Sequence, residues 1–269
     1  MPARGWSAWG YGGQYVEWLV DFNYPGVQAA SSSAGAGMAA PAAKAMPMHK
    51  GSCFTEDDDP GPPPPPPPRE NNVAAAPAII EVEGDASSAS YFFGAAAIAG
   101  VIEVFGINKK SIQGDIYFLE ILKDMGAKIT YKDRSVVVEK AEVLKGVEVD
   151  CKMIPDAAMT LATMALFCEG TTKRTNIASW KVKETDRIIA MQTELLKLGA
   201  KVSSTNNSIT ITPPERINNN IQIDTYDDHR MAMCFSLVSL NKNLVIINDP
   251  ECVKKTYPNY FHDFEKIML

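Results

Sequence analysis

The sequence predicts an α/β fold built from copies of one strand, helix, strand, helix, strand, strand unit. Two observations carry this. From Ile79 onward, β-branched runs alternate with helical patterns. That alternation also repeats: Gly126-Ala127-Lys128 returns as Gly199-Ala200-Lys201, 73 residues later, and each triplet ends a helix rich in Leu, Met and Ile. No single unit buries the apolar faces of its own helices. Three units are therefore expected to pack around a shared interior, helices inside and sheets outside.

Taken in order, residues 1–77 differ in character from the rest. An aromatic and Gly-rich opening leads into an Ala/Ser/Met stretch, an acidic cluster at 56–59 and seven prolines at 62–68. Polyproline forms only an extended, solvated helix, and the Ala/Ser/Gly run has too few large apolar groups to offset the entropy of ordering. The segment is expected to be disordered. Its proline run reads as a ligand for a polyproline-binding module of the profilin, SH3 or WW type or, more plainly, as a linker. Residues 78–269 make the folded part. After each triplet comes a strand pair, Lys128–Tyr131 with Ser135–Glu139 and Lys201–Ser204 with Ser208–Thr212, joined by a short polar turn suited to a hairpin. The unit occurs twice in full. A third copy begins at Ile221, runs through a helix from His229, a strand at 244–248 and a final helix near 257–267, and stays incomplete.

With 269 residues, 46% of them hydrophobic, the chain can bury a sizeable core. A net charge of -6 argues against a nucleic-acid binder that works by neutralising phosphates. Anionic small molecules would have to be met by local clusters of Lys and Arg. The five cysteines (Cys53, Cys151, Cys168, Cys234 and Cys252) include no pair at zinc-site or redox-motif spacing. They read as reduced thiols, and no metal is expected. No long charge-free apolar run and no secretory leader is seen, so a soluble intracellular protein without membrane contact is expected.

The repeat sets chemistry-bearing residues at equivalent points. Asp156 precedes Lys183 by 27 residues, and Asp228 precedes Lys255 by the same 27. In both copies the Asp is expected at the start of one helix and the Lys at the start of the next. Helix N-termini present unpaired N–H groups, so several aimed one way form an anion site. On a helix starting at Lys183, Lys183 and Arg187 share a face with Glu184 between them. That reads either as an anion clamp with an acid/base residue or as an ordinary salt-bridged face. Asp227-Asp228-His229-Arg230, set directly before an apolar run, is costly to keep near a core. Asp228 can cap its helix. His229 is either a proton shuttle or a hydrogen-bonded structural residue. Asp156, after Pro155, reads equally as a cap or as a catalytic carboxylate.

Several stretches together resemble one family. They are Glu83-Gly84-Asp85-Ala86-Ser87-Ser88-Ala89-Ser90, Ile154-Pro155-Asp156-Ala157-Ala158-Met159-Thr160, and the segments 180–187, 226–233 and 249–256. They are similar to the 5-enolpyruvylshikimate-3-phosphate (EPSP) synthases, over about residues 79–269. The resemblance implies one lobe of a two-lobed, inside-out α/β barrel. It also implies transfer of the enolpyruvyl group of phosphoenolpyruvate to the 5-hydroxyl of shikimate 3-phosphate, with release of phosphate and no cofactor. By the same resemblance Asp156 and Glu184 are the acid/base pair. Arg187, Arg230 and Lys255 hold phosphoenolpyruvate and the leaving phosphate, Lys183 and Ser179 meet the shikimate phosphate, and Asp228 and His229 support Arg230. Lys255 is preferred to Lys254 because it precedes Thr256 and keeps the 27-residue spacing. Family members of this kind are cytoplasmic or enter plastids.

The chain also departs from the family. Nothing in residues 1–77 matches the first lobe's motifs, Pro-Gly-Ser-Lys-Ser, Gly-Asn-Ala-Gly-Thr or Ser-Ser-Gln. Half of the interlobe site is therefore expected to be missing and activity of this chain alone impaired. The short N-terminal strand that the family places in this lobe is also expected to be missing, which would leave apolar surface exposed. A non-catalytic scaffold that uses its proline tract for partners is the alternative. The sister transferase acting on UDP-N-acetylglucosamine fits the motifs less well.

Overall fold

The repeated Gly-Ala-Lys triplet has a backbone cause. Gly126 and Gly199 take φ of 108° and 94°, values that suit glycine because it has no Cβ. Each closes a helix by the same pair of bonds. Ala127 N–H reaches Leu122 C=O and Gly126 N–H reaches Lys123 C=O; Ala200 N–H reaches Leu195 C=O and Gly199 N–H reaches Leu196 C=O. This is the Schellman closure, which satisfies the last carbonyls and turns the chain into the next strand.

The computed structural model describes residues 6–7, 17–21 and 82–268. In chain order the elements are β1 (Trp6–Ser7), β2 (Glu17–Asp21), α1 (Ala86–Ala99), β3 (Val101–Phe105), α2 (Phe118–Asp124), β4 (Lys128–Tyr131) and β5 (Ser135–Glu139). Then come β6 (Glu148–Asp150), α3 (Ala157–Met164), β7 (Thr172–Thr175), α4 (Arg187–Lys197), β8 (Lys201–Ser204) and β9 (Ser208–Thr212). The last are β10 (Ile221–Ile223), α5 (His229–Ser236), β11 (Val245–Ile247) and α6 (Tyr260–Lys266).

Two four-stranded sheets share one plan. Their orders are β2-β3-β5-β4 and β6-β7-β9-β8. In each, the first pair is parallel and the other two pairs are antiparallel. The third sheet runs β1-β11-β10, with β10 parallel and β1 antiparallel to β11. Residues 1–77 enter the described structure only as β1 and β2, which satisfy the edges of β11 and β3 respectively. Trp6–Ser7 thus stands beside β11, where the sequence leads one to expect a missing strand. The polyproline tract and Cys53 lie outside the described residues, and the four described cysteines are free thiols.

Helices α1, α3 and α5 are almost wholly buried and form the interior, α1 against α3 and α3 against α5. A helix that is apolar on all sides can only be a core helix. Close approach is made possible at Gly94, where a Cβ would stand 3.1 Å from both Met164 Sδ and Thr160 Cγ2. Across that contact Ser90 and Thr160 hydroxyls meet at 2.8 Å, so these two interior hydroxyls satisfy each other. The strands of β5 and β9 turn alternate side chains toward these helices. The core helices begin at Asp85, Asp156 and Asp228, one Asp in each unit.

Candidate active site

The three helix starts set up a cluster around one buried guanidinium. Arg187 is the first residue of α4 and its side chain is 1% exposed. Its Nη1 donates to Asp156 Oδ1 at 2.9 Å, and its Nη2 to Glu184 Oε2 at 2.7 Å and Asp228 Oδ1 at 3.3 Å. Its Nε donates to Asp228 Oδ2 at 2.7 Å. One cation thereby ties three carboxylates from three segments. Charge-assisted bonds of this kind are the strong ones, and the planar fork of Arg suits them.

The local backbone explains how each group arrives. The helix begins at Arg187, four residues later than the pattern suggests, because Asp186 caps it by accepting from Ile188 and Ile189 N–H. Lys183 is extended, with φ of -90° and ψ of -156°. Lys183, Glu184 and Arg187 therefore converge through a loop and a helix start, and not along one helix face. Trp180, wholly buried, donates its indole N–H to Pro155 C=O at 2.6 Å and pins that loop to the start of α3. Lys255 likewise ends a 3-10 turn, Pro250–Lys255, and does not open a helix. Ahead of Asp228, Tyr226 and Asp227 both hold positive φ, 55° and 57°. This costly conformation is secured by Tyr226 Oη on Glu194 at 2.7 Å.

Asp156 makes no side-chain cap bond. Its carboxylate faces cations instead: Arg187, Arg230 Nη2 at 3.2 Å and Lys183 Nζ at 3.6 Å. Asp228 is fully buried and does two things, capping α5 through Arg230 N–H at 2.9 Å and holding Arg187. Lys255 Nζ reaches Glu184 Oε1 at 2.6 Å, whereas Lys254 pairs with Glu251 on the surface. The His229 ring is 2% exposed, and neither nitrogen has a hydrogen-bond partner. Ser179 is exposed on the 3-10 turn Ala178–Val182 that leads into Lys183.

Electrostatics follow from this crowding. Burial raises the Asp156 carboxyl, but Arg230, Arg187 and Lys183 outweigh it and hold it below the usual range. For Glu184 burial is likewise outweighed, by Lys255, its own backbone N–H and Arg187, which bring it down to about 2. Burial would lower Arg187 and Arg230, yet the carboxylates, and for Arg230 also Tyr91, raise both. His229 is lowered by burial and by Arg230, so its ring is neutral at neutral pH.

Two members of the site carry no motif-level signal of their own. Tyr91, buried on α1, accepts from Arg230 Nη1 at 3.2 Å, 139 residues away in sequence. Asp115 accepts a hydrogen bond from Ser87 at the start of α1 and lies near Asp156. Burial raises its carboxyl, and the Asp156 charge adds to that rise. Asp85 opens α1 as Asp156 and Asp228 open the other two core helices, so the repeat itself could have pointed to it. The most exposed apolar side chains among the described residues are Ile112 (91%), Val182 (83%), Val82 (78%) and Met153 (63%); Val182 directly precedes Lys183, and Met153 lies three residues before Asp156. Among the described residues no group of three or more His, Cys, Asp or Glu is arranged to hold a metal. No helix among them is long and apolar enough to cross a membrane.

Residues 69–264 match the model of the EPSP synthase (3-phosphoshikimate 1-carboxyvinyltransferase) family. A 3-phosphoshikimate 1-carboxyvinyltransferase of Photobacterium profundum is 59% identical over 181 residues, 67% of this chain and 42% of the relative. One from Tolumonas auensis is 55% identical over 186 residues, 69% of this chain and 43% of the relative. An EPSP synthase structure from Acinetobacter baumannii superposes with a TM-score of 0.62 at 27% identity, over 69% of this chain and 46% of that one. The chain therefore spans less than half the length of the relatives it matches. Asp156, Lys183, Glu184, Arg187, Asp228, Arg230 and Lys255 stand in the stretches that suggested the resemblance, and by these matches the chain belongs to the EPSP synthase family.

Proposed function

We propose that this chain contributes one jaw of an enolpyruvyl transfer site, acting on phosphoenolpyruvate and shikimate 3-phosphate, to which the relatives' further length would add the other. The observation that carries this is the Arg187 hub, which gathers Asp156, Glu184 and Asp228 beside Arg230, Lys183 and Lys255. Four cations at one face suit a pair of phosphorylated anions, and the exposed Val182 and Met153, close in sequence to Lys183 and Asp156, suit docking of a further part of the fold.

In this proposal the ionised Asp156 accepts the proton of the attacking 5-hydroxyl, whose oxygen bonds to the central carbon of phosphoenolpyruvate. The methylene carbon takes a proton from Glu184. Glu184 then takes back a methyl proton as the C–O bond to phosphate breaks, Asp156 passes its proton to the departing phosphate, and the double bond is restored in an enol ether on the 5-oxygen of shikimate 3-phosphate. Glu184 is ionised while Lys255 and Arg187 hold it. An incoming phosphate or carboxylate competes for both cations, weakens their pull and lets Glu184 take up a proton. Ser179 and Lys183 would meet the shikimate phosphate, and His229 would pack as a neutral support beneath Arg230.

Calorimetric titration of the purified chain with shikimate 3-phosphate and with phosphoenolpyruvate tests this. Millimolar or tighter binding, lost in Lys183→Ala, is the expected result, with phosphate release far slower than for an intact synthase. Absence of binding to either anion, with capture of a polyproline-binding partner, would favour the scaffold alternative.

A further inference from the structure

Away from the site, strand β7 directs a second arginine inward. The strand alternation places Thr172 and Arg174 on the core side, both 0% exposed. Arg174 Nη2 donates to Leu161 C=O in α3, but Nε and Nη1 have no hydrogen-bond partner. Among the described residues, the ionisable neighbours that act on it are two thiols, Cys151 and Cys168, and no carboxylate. A buried hydroxyl on the facing helix, Thr163 on α3, also lacks a partner, whereas Thr172 on β7 interacts with the Cys168 thiol.

The charge balance of this interior is unusual. Burial lowers the guanidinium to about 10, which leaves it a cation at neutral pH. Burial pushes both thiols up to about 11, so neither supplies the opposing charge there. Each thiol also spends its proton on a backbone carbonyl, Cys151 on Val149 and Cys168 on Met164. An isolated buried charge costs several kcal/mol or more unless something opposes it. The guanidinium itself keeps two N–H donors, Nε and Nη1, without a partner, and a neutral hydroxyl nearby cannot oppose its charge. A water molecule could satisfy some of them but would leave the charge unopposed.

We propose that Arg174 holds a small monovalent anion of the halide class inside the lobe, as a structural ion separate from the Arg187 cluster. The test uses the full chain. Thermal unfolding is followed in sodium chloride, sodium bromide and sodium gluconate at equal ionic strength. A saturable, halide-specific rise in midpoint is expected, and halide at 100 times its dissociation constant would shift the folding equilibrium about 100-fold. Arg174→Met should fold without that dependence, since a buried charge exchanged for an apolar chain of similar length is well tolerated. Equal midpoints in halide and gluconate for the wild type overturn the proposal, as does an Arg174→Met protein that keeps the halide response. Should that variant fail to fold, bromide-soaked crystals of the wild type decide. An anomalous peak within hydrogen-bonding reach of Arg174 Nε and Nη1 supports the ion, and a water or no peak at that position overturns it.

Discussion

Replacing Arg187 with Met keeps the length of the side chain and deletes the charge that three carboxylates share. Asp228 is fully buried, so the substitution leaves a carboxylate in the interior without its main cation. Breaking a buried pair from one side costs about 3–5 kcal/mol. For a folded unit of this size that is a fall in melting temperature of about 6–20 °C. The pH dependence of the loss separates this cause from simple loss of packing. In the wild type, Asp156 and Glu184 have folded-state pKa values below their unfolded ones, against the effect of burial. Their stabilisation is present above the unfolded carboxylate range and fades as pH falls through the folded values. For Glu184, a fall from 4.5 to about 2 corresponds to roughly 3 kcal/mol, or about 1–2 after screening by the solvent it meets. In the variant the carboxylates repel one another, and protonation relieves them. The difference between the two proteins should therefore shrink by about 1–2 kcal/mol between about pH 7 and about pH 3, the window that lies between the unfolded and folded carboxylate values. Urea denaturation at both pH values measures it. A difference that stays constant within about 0.5 kcal/mol, below the effect expected from linkage, would refute the electrostatic account and leave packing as the cause.

Three further outcomes are expected. Asp115→Asn should stabilise the protein at pH 7 by about 0.5–1 kcal/mol and flatten its thermal stability between pH 4 and 7. The reason is that a carboxyl raised by burial loses stability as pH climbs through its folded value. Lys255→Ala should weaken phosphoenolpyruvate binding by about tenfold or more, the scale of one lost charge-assisted contact. Lys254→Ala should leave calorimetric affinity unchanged, because its partner is Glu251 and not Glu184. Gly199→Ala should cost about 1–2 kcal/mol in chemical denaturation, since alanine at φ of 94° is strained and its Cβ would also press on Asn218 at 3.3 Å.

How much of this was legible in the sequence depended on distance along the chain. The Gly-Ala-Lys triplet marked both helix ends correctly, because a Schellman closure is written in a few adjacent residues. The cluster of Asp156, Glu184, Arg187, Asp228, Arg230, Lys183 and Lys255 followed from motif and spacing. Its geometry did not. Asp186 outcompetes Lys183 as the start of α4, since a carboxylate that accepts two N–H bonds ends the ambiguity of where a helix begins. Whether Asp156 caps or faces cations is a choice of rotamer, and that depends on where Arg230 arrives from α5. Tyr91 and Asp115 were silent because each meets its partner only after the units pack. Arg174 escaped notice for a similar reason: a lone Arg in a strand reads as surface until the opposite face is seen to be covered.

The Arg187 hub, finally, bears on how a ligand would register in a calorimeter. A site whose cations are already neutralised by its own acids does not fill on ligation; it exchanges one anion for another. Each displaced acid then becomes more basic and draws a hydrogen ion from the buffer. Ligation by an oxyanion should therefore consume acid, and its apparent heat should vary with the ionisation enthalpy of the buffer chosen.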